Sequence, residues 1–224
     1  MLEPIQPISK KNQVALAVKE AILAGAIQPG SPLVESRIAQ QLGAGIPLVR
    51  EALIELEHQG FVQRVPYKGT SVTRLEPEDV KRSFRLRVEL EALAIEWAKE
   101  HVTAADIEFL RDKIESMKRA AAALDLNQFY ECDLAFHRKL WVLSGNPYLV
   151  DALERVVVPL FAFFLMKYRR QREAYVESAA AHARIVEALP VMSAAELREL
   201  MREVTGGWQA DALTLLFPED KSLA

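Results

Sequence analysis

The stretch Pro29-Gly30-Ser31-Pro32-Leu33-Val34-Glu35-Ser36-Arg37-Ile38-Ala39-Gln40-Gln41-Leu42-Gly43, continued by Val49-Arg50-Glu51-Ala52-Leu53 and Gly60-Phe61-Val62, decides the reading of this chain. Apolar residues recur at helical spacing over about 35–42 and again over about 48–59, and Gly43 and Gly60 close the two runs. Two short helices joined by a turn and followed by a strand make a helix-turn-helix module, which points to DNA and away from catalysis.

Upstream, Val14, Ala15, Val18, Ala21 and Ile22 predict a helix over 12–24 that Gly25 stops. Downstream, residues 61–65 and 69–73 read as two strands around Pro66-Tyr67-Lys68. Three helices and a hairpin predict a winged helix-turn-helix over 1–76. A helix that enters the major groove needs an apolar face for its own core and polar side chains on the other face. In 48–59 the apolar set is Val49, Ala52, Leu53 and Leu56, and Arg50 stands near the start, within reach of base edges or phosphate. Arg37 in the preceding helix is placed for a phosphate contact. Lys68 and Gly69 sit at the wing tip, where glycine allows close backbone approach and lysine favours phosphate or the minor groove. Taken singly, each arginine is an ordinary solvated charge; their joint placement is what favours DNA.

After Leu75-Glu76-Pro77 the strand pattern disappears, and Pro77-Glu78-Asp79 has the form of a first helical turn. The boundary is placed near residue 76. Beyond it, over 77–224, helices are expected at about 78–101, 103–124, 126–144, 147–172, 176–189 and 193–216, with Pro159 kinking or splitting the fourth. Thr103 with Asp106 and Ser193 with Glu196 have capping-box spacing, and Asn146-Pro147 supplies a cap followed by a first-turn proline. The fold class is therefore mainly α: a winged helix-turn-helix followed by an all-helical bundle.

The 224 residues, half of them apolar, suffice for a real core in one large domain or two small ones. The formal net charge of -3 is unevenly spread: residues 1–75 hold eight Lys/Arg against six Asp/Glu, the remainder twenty against twenty-five. A mildly basic head on an acidic body suits a nucleic-acid partner at the N-terminal end. Cys132 is the single cysteine, which rules out an intrachain disulfide and a cysteine-built zinc finger and fits a reducing compartment. Residues 1–11 lack the basic-then-apolar order of an export signal, and no apolar run reaches the roughly eighteen residues of a membrane span. A cytoplasmic protein is expected.

One pair in the body carries chemistry. In the helix over 126–144, Phe129, Phe136, Leu140 and Leu143 form an apolar stripe, with Asp133 and His137 one turn apart on much the same face. A carboxylate and an imidazole half-buried together are costly unless each has a partner. Two readings remain open: an Asp–His hydrogen bond fastening two helices, or two ligands of one divalent ion. His182, on the Val186 and Leu189 side of a later helix, is a third inward candidate.

The N-terminal segment resembles the GntR family of bacterial transcription regulators over residues 12–75, through the proline-glycine opening, Leu33-Val34-Glu35, Ile38-Ala39 and Val49-Arg50-Glu51-Ala52-Leu53. Gly45-Ile46-Pro47-Leu48 stands where that family usually has Ser-Arg-x-Pro, so a capping hydroxyl and an arginine are absent and more of the contact falls to Arg50 and the wing. The body resembles the ligand-binding domain of the FadR subfamily, a bundle of six or seven helices, through Arg87 with Leu90-Glu91, Asp133-Leu134-Ala135-Phe136-His137, Ser144-Gly145-Asn146 and His182 with Ile185-Val186. That resemblance implies that Asp133, His137 and His182 are ligands of zinc, nickel or manganese at the floor of an effector pocket. The fourth ligand, a histidine in the family, is Val204 here, on a face shared with Leu197, Leu200 and Trp208, which makes that wall more apolar.

Arg87 could hold an acidic effector by a bidentate fork or pair internally with Glu91. Tyr130 and Asn146 are pocket candidates, Asn146 also a simple helix cap. Cys132 is given no role, and Phe161, Phe163 and Phe164 are read as core or interface. The function expected is a metabolite-responsive regulator, a repressor, that binds a pseudo-palindromic operator as a homodimer and releases it when a small carboxylate effector favours the DNA-incompetent arrangement. The rivals are a helical metal-dependent hydrolase built on Asp133, His137 and His182, and a DNA-binding protein without an effector.

Overall fold

The computed structural model describes residues 9–67, 69–167 and 172–217, except for the side chains at 208–212, 214 and 215. Lys68 and the side chain of Trp208 thus lie outside the described residues. The chain divides into two compact units, Met1–Arg74 and Leu75–Ala224.

The first unit contains α1 (Lys10–Leu23), β1 (Pro32–Leu33), α2 (Glu35–Leu42), α3 (Ile46–His58), β2 (Val62–Val65) and β3 (Gly69–Val72). Ser9 Oγ accepts the amide of Asn12, which starts α1 at Lys10, two residues ahead of the expected position 12. Gly43, at φ 59°, closes α2 in the left-handed conformation that glycine adopts without strain. Pro47 lies in the first turn of α3, where its missing N–H has no partner to lose, so the helix begins at Ile46 rather than Leu48. Gly45 offers no side-chain cap there.

Val49, Ala52, Leu53 and Leu56 of α3 are fully buried with Phe61, Val62, Val72 and Ile22. The hairpin pairs Val62 with Val72 and Val65 with Gly69, while β1 adds a third antiparallel strand through Pro32–Ser71 and Leu33–Thr70. Two residues, one a proline, carry no period-2 pattern, which is why β1 is invisible in the sequence. Thr73 Oγ1 donates to Gly60 O at 2.6 Å and seals the hairpin base. The buried Lys19 ammonium lies 4.9 Å from the centre of the Phe61 ring.

Among the described residues the second unit is a bundle of α4 (Pro77–Ala98), α5 (Ala104–Ala123), α6 (Leu126–Leu143), α7 (Pro147–Lys167), α8 (Arg172–Ala188) and α9 (Ala194–Leu216). α4 packs on α9, α7 and α6, and α5 packs on α6 and α8. Ile95, Leu110, Phe136, Leu140, Ile185, Leu189 and Leu197 form the centre of the core. Helix starts are chemically marked: Glu76 with Asp79, Thr103 with Asp106 and Ser193 with Glu196 are capping boxes, and Asp125 caps α6. Pro159 lies inside α7 without splitting it, because the elements packed around α7 hold the helix through the lost hydrogen bond.

Asp106 also receives Lys139 of α6, at 2.5 Å. Its hydrogen bond with Lys139, followed by those with the Thr103 hydroxyl and amide, holds its carboxyl at about 2 against an ordinary 3.8. A depressed native pKa adds stability above pH 3.8 that disappears as pH falls through 2. Thermal unfolding followed by circular dichroism is expected to show a midpoint that drops on acidification across that interval, and drops less in Asp106→Asn; parallel curves for the two proteins would refute this role.

Candidate functional site

Two regions gather functional side chains, one in each unit. In the head, α3 presents Arg50 and α2 presents Arg37, both exposed, and Gly69 opens β3 at φ 86° with open space where a Cβ would stand. Arg50 is not extended into solvent: its Nε lies 3.2 Å from both carboxylate oxygens of Glu35, and its Nη2 lies 2.8 Å from Oε2. That fork ties α2 to α3, lowers the carboxyl pKa of Glu35 and raises that of Arg50. Tyr67 is fully exposed at the wing tip with φ 64°, a left-handed conformation that a non-glycine residue rarely adopts.

In the body, α4, α6, α7, α8 and α9 line a partly open cavity of about 110 Å³. Asp133 and His137 reach it from α6 and His182 from α8, because the one-turn spacing on α6 aims both side chains at the facing helix. His182 Nε2 lies 3.0 Å from His137 Nε2 and 3.0 Å from Asp133 Oδ1, and the third distance, His137 Nε2 to Asp133 Oδ1, is 3.8 Å.

The opposite nitrogen of each ring fixes what the Nε2 atoms present. His182 Nδ1 lies 2.6 Å from the Ser178 carbonyl, which can only accept, so Nδ1 carries the proton. His137 Nδ1 lies 2.7 Å from Glu91 Oε1, an ion-pair distance at which neither atom makes a well-aligned hydrogen bond among the described residues. A carboxylate so close still favours the proton on Nδ1. Two Nε2 lone pairs and a carboxylate oxygen thus converge on one point, an arrangement that needs a positive centre between them. The two 3.0 Å separations match the roughly 2.8–3.1 Å edges of six-fold coordination at about 2.0–2.2 Å, and the 3.8 Å one exceeds even the roughly 3.3–3.6 Å edge of a tetrahedron, so this donor set fits a divalent ion once Asp133 and His137 draw slightly together.

Glu91 of α4 joins the site from behind His137. It is 1% exposed, and its Oε2 also takes Arg87 Nε at 2.9 Å and Thr205 Oγ1 at 3.5 Å. Burial alone would raise its pKa, yet the Arg87 guanidinium, and then the His137 ring beside it, hold it well below the carboxylate range. For Asp133 burial also pushes upward, and the His182 contact together with His137 and Arg87 outweighs it. A signal was present: Phe84, Arg87, Glu91 and Ile95 fall at helical spacing, which places Glu91 on the inward stripe.

Arg87 lines the cavity with its guanidinium 4.5 Å from the Phe161 ring centre and 5.6 Å from that of Phe84. The internal Arg87–Glu91 pair therefore forms, inside the cavity wall. Tyr130 also lines the cavity, and burial raises its hydroxyl pKa. Asn146 is not brought there: its Oδ1 accepts the amides of Tyr148 and Leu149 as the cap of α7. Phe161 and Phe163 are buried in the core as expected, and Phe161 and Phe164 also line the cavity, where Phe161 meets the His137 ring edge-to-face at 4.9 Å. Val204 is in the wall beside Met201 and Thr205. Cys132 is buried and turned to Gln128.

Residues 82–206 match the FCD domain, and residues 10–72 match the bacterial regulatory proteins of the gntR family. The chain is an FCD-containing GntR-family transcription regulator. It is 28% identical over 151 residues to the HTH-type transcriptional regulator McbR of Escherichia coli, covering 67% of this chain and 68% of that one. Against the HTH-type transcriptional repressor RspR of the same species it is 25% identical over 155 residues, covering 69% and 67%. Matched stretches span 58 to 68% of the length of the first three curated relatives. A solved structure of E. coli McbR/YncC shares the fold at TM-score 0.70 and 24% identity, over 92% of this chain and 98% of that one. The GntR head makes this a DNA-binding protein, and membership of the family sets aside the hydrolase reading. No helix among the described residues is long and apolar enough to cross a membrane.

Proposed function

We propose that this regulator is a repressor whose operator binding responds to a small carboxylate effector taken up in the helical body beside a divalent metal ion. The observation that carries this reading is the convergence of His137 Nε2, His182 Nε2 and Asp133 Oδ1, with the Ser178 carbonyl fixing the His182 tautomer and the Glu91 carboxylate 2.7 Å behind His137 Nδ1. Asp133, His137 and His182 would hold the ion, which would supply a Lewis-acidic centre for an anionic ligand. Val204 leaves that side of the ion to water or to the effector. Arg87, with Phe84, Phe161, Tyr130 and Tyr175 around the same space, suits a short carboxylate with an apolar portion.

Operator contact is assigned to Arg37, Arg50, Gly69 and Lys68, the last outside the described residues. A single small head neutralises few phosphates, so a homodimer on two half-sites is the economical arrangement. An apolar stripe on α4 supports it: Leu86 and Trp97 are exposed and Leu90 and Leu93 only part-buried, at alternating four- and three-residue spacing. The repressor sign follows relatives such as RspR, whose name describes that protein as a repressor.

The deciding experiment is metal analysis of untagged protein purified without chelator, beside Asp133→Ala. Near-stoichiometric zinc, nickel or manganese that vanishes in the variant is expected. Metal-free wild-type protein would mean that a proton occupies the position between the three donors, and the effector search would turn to larger, more apolar acids.

A further inference from the structure

The outward face of α3 is short of polar readers. Ile46, Pro47, Arg50, Glu51 and Ile54 are its exposed residues over the first nine positions, with Val49, Ala52 and Leu53 turned inward. Ile46 is 44% exposed and Ile54 38%, and with Arg50 between them they follow one line along the helix. Arg50, the one cation of the set, already has its Nε and Nη2 engaged by Glu35. Gly45 has no side chain to add, so Ile46 is the leading side chain of the helix and its surface is hydrocarbon.

In a helix-turn-helix head the first residues of the second helix meet the base edges in the major groove. Most of what that groove displays is polar: the acceptors of guanine, the amino groups of cytosine and adenine, the carbonyl of thymine. Hydrocarbon pressed against those groups would strip water from them and return no hydrogen bond. The exception is the thymine C5-methyl group, where apolar contact is favourable. We propose that Ile46 is a specificity-determining residue that reads a thymine methyl, so that each half-site has a thymine opposite the start of α3. The inference rests on the GntR head placing α3 in the major groove and concerns which base is read there.

The test uses the full-length protein and duplexes recovered by selection from a randomised DNA library. Each thymine of the recovered site is replaced in turn by deoxyuridine, which removes the methyl and nothing else. Wild-type protein is expected to lose about fourfold in affinity at one position per half-site, the equivalent of the roughly 0.8 kcal/mol of one buried methylene. Ile46→Ala, a change at an exposed position, should bind the thymine and uracil duplexes equally there. Ile46→Arg should move the preference at that position towards guanine, whose O6 and N7 accept a guanidinium.

A wild-type protein indifferent to every uracil replacement would overturn the assignment, as would a uracil penalty that persists in Ile46→Ala; either result leaves the head a DNA binder. Failure to bind any duplex at all, of whatever sequence, would overturn the placement of α3 and this assignment with it.

Discussion

Replacing Glu91 with leucine is expected to lower the unfolding free energy of the chelator-treated protein by about 3–5 kcal/mol, the range for removing one partner of a buried ion pair. Glu91 is almost wholly enclosed and neutralises Arg87, whose side chain is itself only 12% exposed. Without the carboxylate, the guanidinium would keep the ring faces of Phe84 and Phe161, an offset of about 0.5–2 kcal/mol. That falls short of the cost of an unpaired buried cation. Urea denaturation at neutral pH would measure the change. Adding Arg87→Met to the leucine variant should restore most of the loss, because a buried pair exchanged for apolar side chains of similar volume is often neutral. An unchanged urea midpoint in the single variant would mean that water reaches Arg87 and that the burial argument fails. In the same variant His137 loses the carboxylate beside its Nδ1, so metal affinity, measured by competition with a chromogenic chelator, should fall about 10–100-fold.

The behaviour of Glu91 also shows what periodicity conveys and what it leaves out. The inward direction of Asp133, His137 and His182 could be read from spacing on α6 and α8, since side chains one turn apart share a face. Their meeting across two helices could not, because it depends on the separation and rotation of α6 and α8; the family resemblance supplied it. The His137–Glu91 contact joins positions 46 residues apart on different helices, a pairing without a local pattern. That Phe161 and Phe164 border the cavity is hidden for a related reason: in an apolar run such as Val156 to Met166, periodicity does not separate the core from a cavity wall.

Helix starts were more legible than helix ends. Thr103, Asn146 and Ser193 announce α5, α7 and α9 because capping is local chemistry between residues two or three apart. The stops depend on tertiary contacts, and the ends of α4, α5 and α6 fall one to three residues before the positions expected. The Glu35–Arg50 fork lies between those extremes: both residues belong to the quoted helix-turn-helix stretch, but their 15-residue separation gives no hint that one arginine is already engaged.

That engagement sharpens what Arg50→Ala should do. Operator affinity at moderate salt is expected to fall at least tenfold, since a direct contact of a head with DNA contributes about 1–3 kcal/mol and a dimer would lose two. Thermal stability should hardly move, because the Glu35–Arg50 pair is exposed and such pairs contribute little. The salt dependence then separates two modes of contact. A phosphate contact contributes about 0.9 to the slope of log K against log salt, so its loss lowers the slope by about one per head and weakens all sequences alike. A base contact leaves the slope intact and relaxes preference at one position. Glu35→Gln is the companion variant: it weakens the fork while keeping the arginine. It should raise affinity for unrelated DNA, by removing a carboxylate near the phosphates, and should lower the ratio of operator to unrelated binding, by freeing the guanidinium from one orientation. If Arg50→Ala binds its operator as tightly as the wild type, the fork is only a strap between α2 and α3 and recognition belongs to Ile46 and the wing.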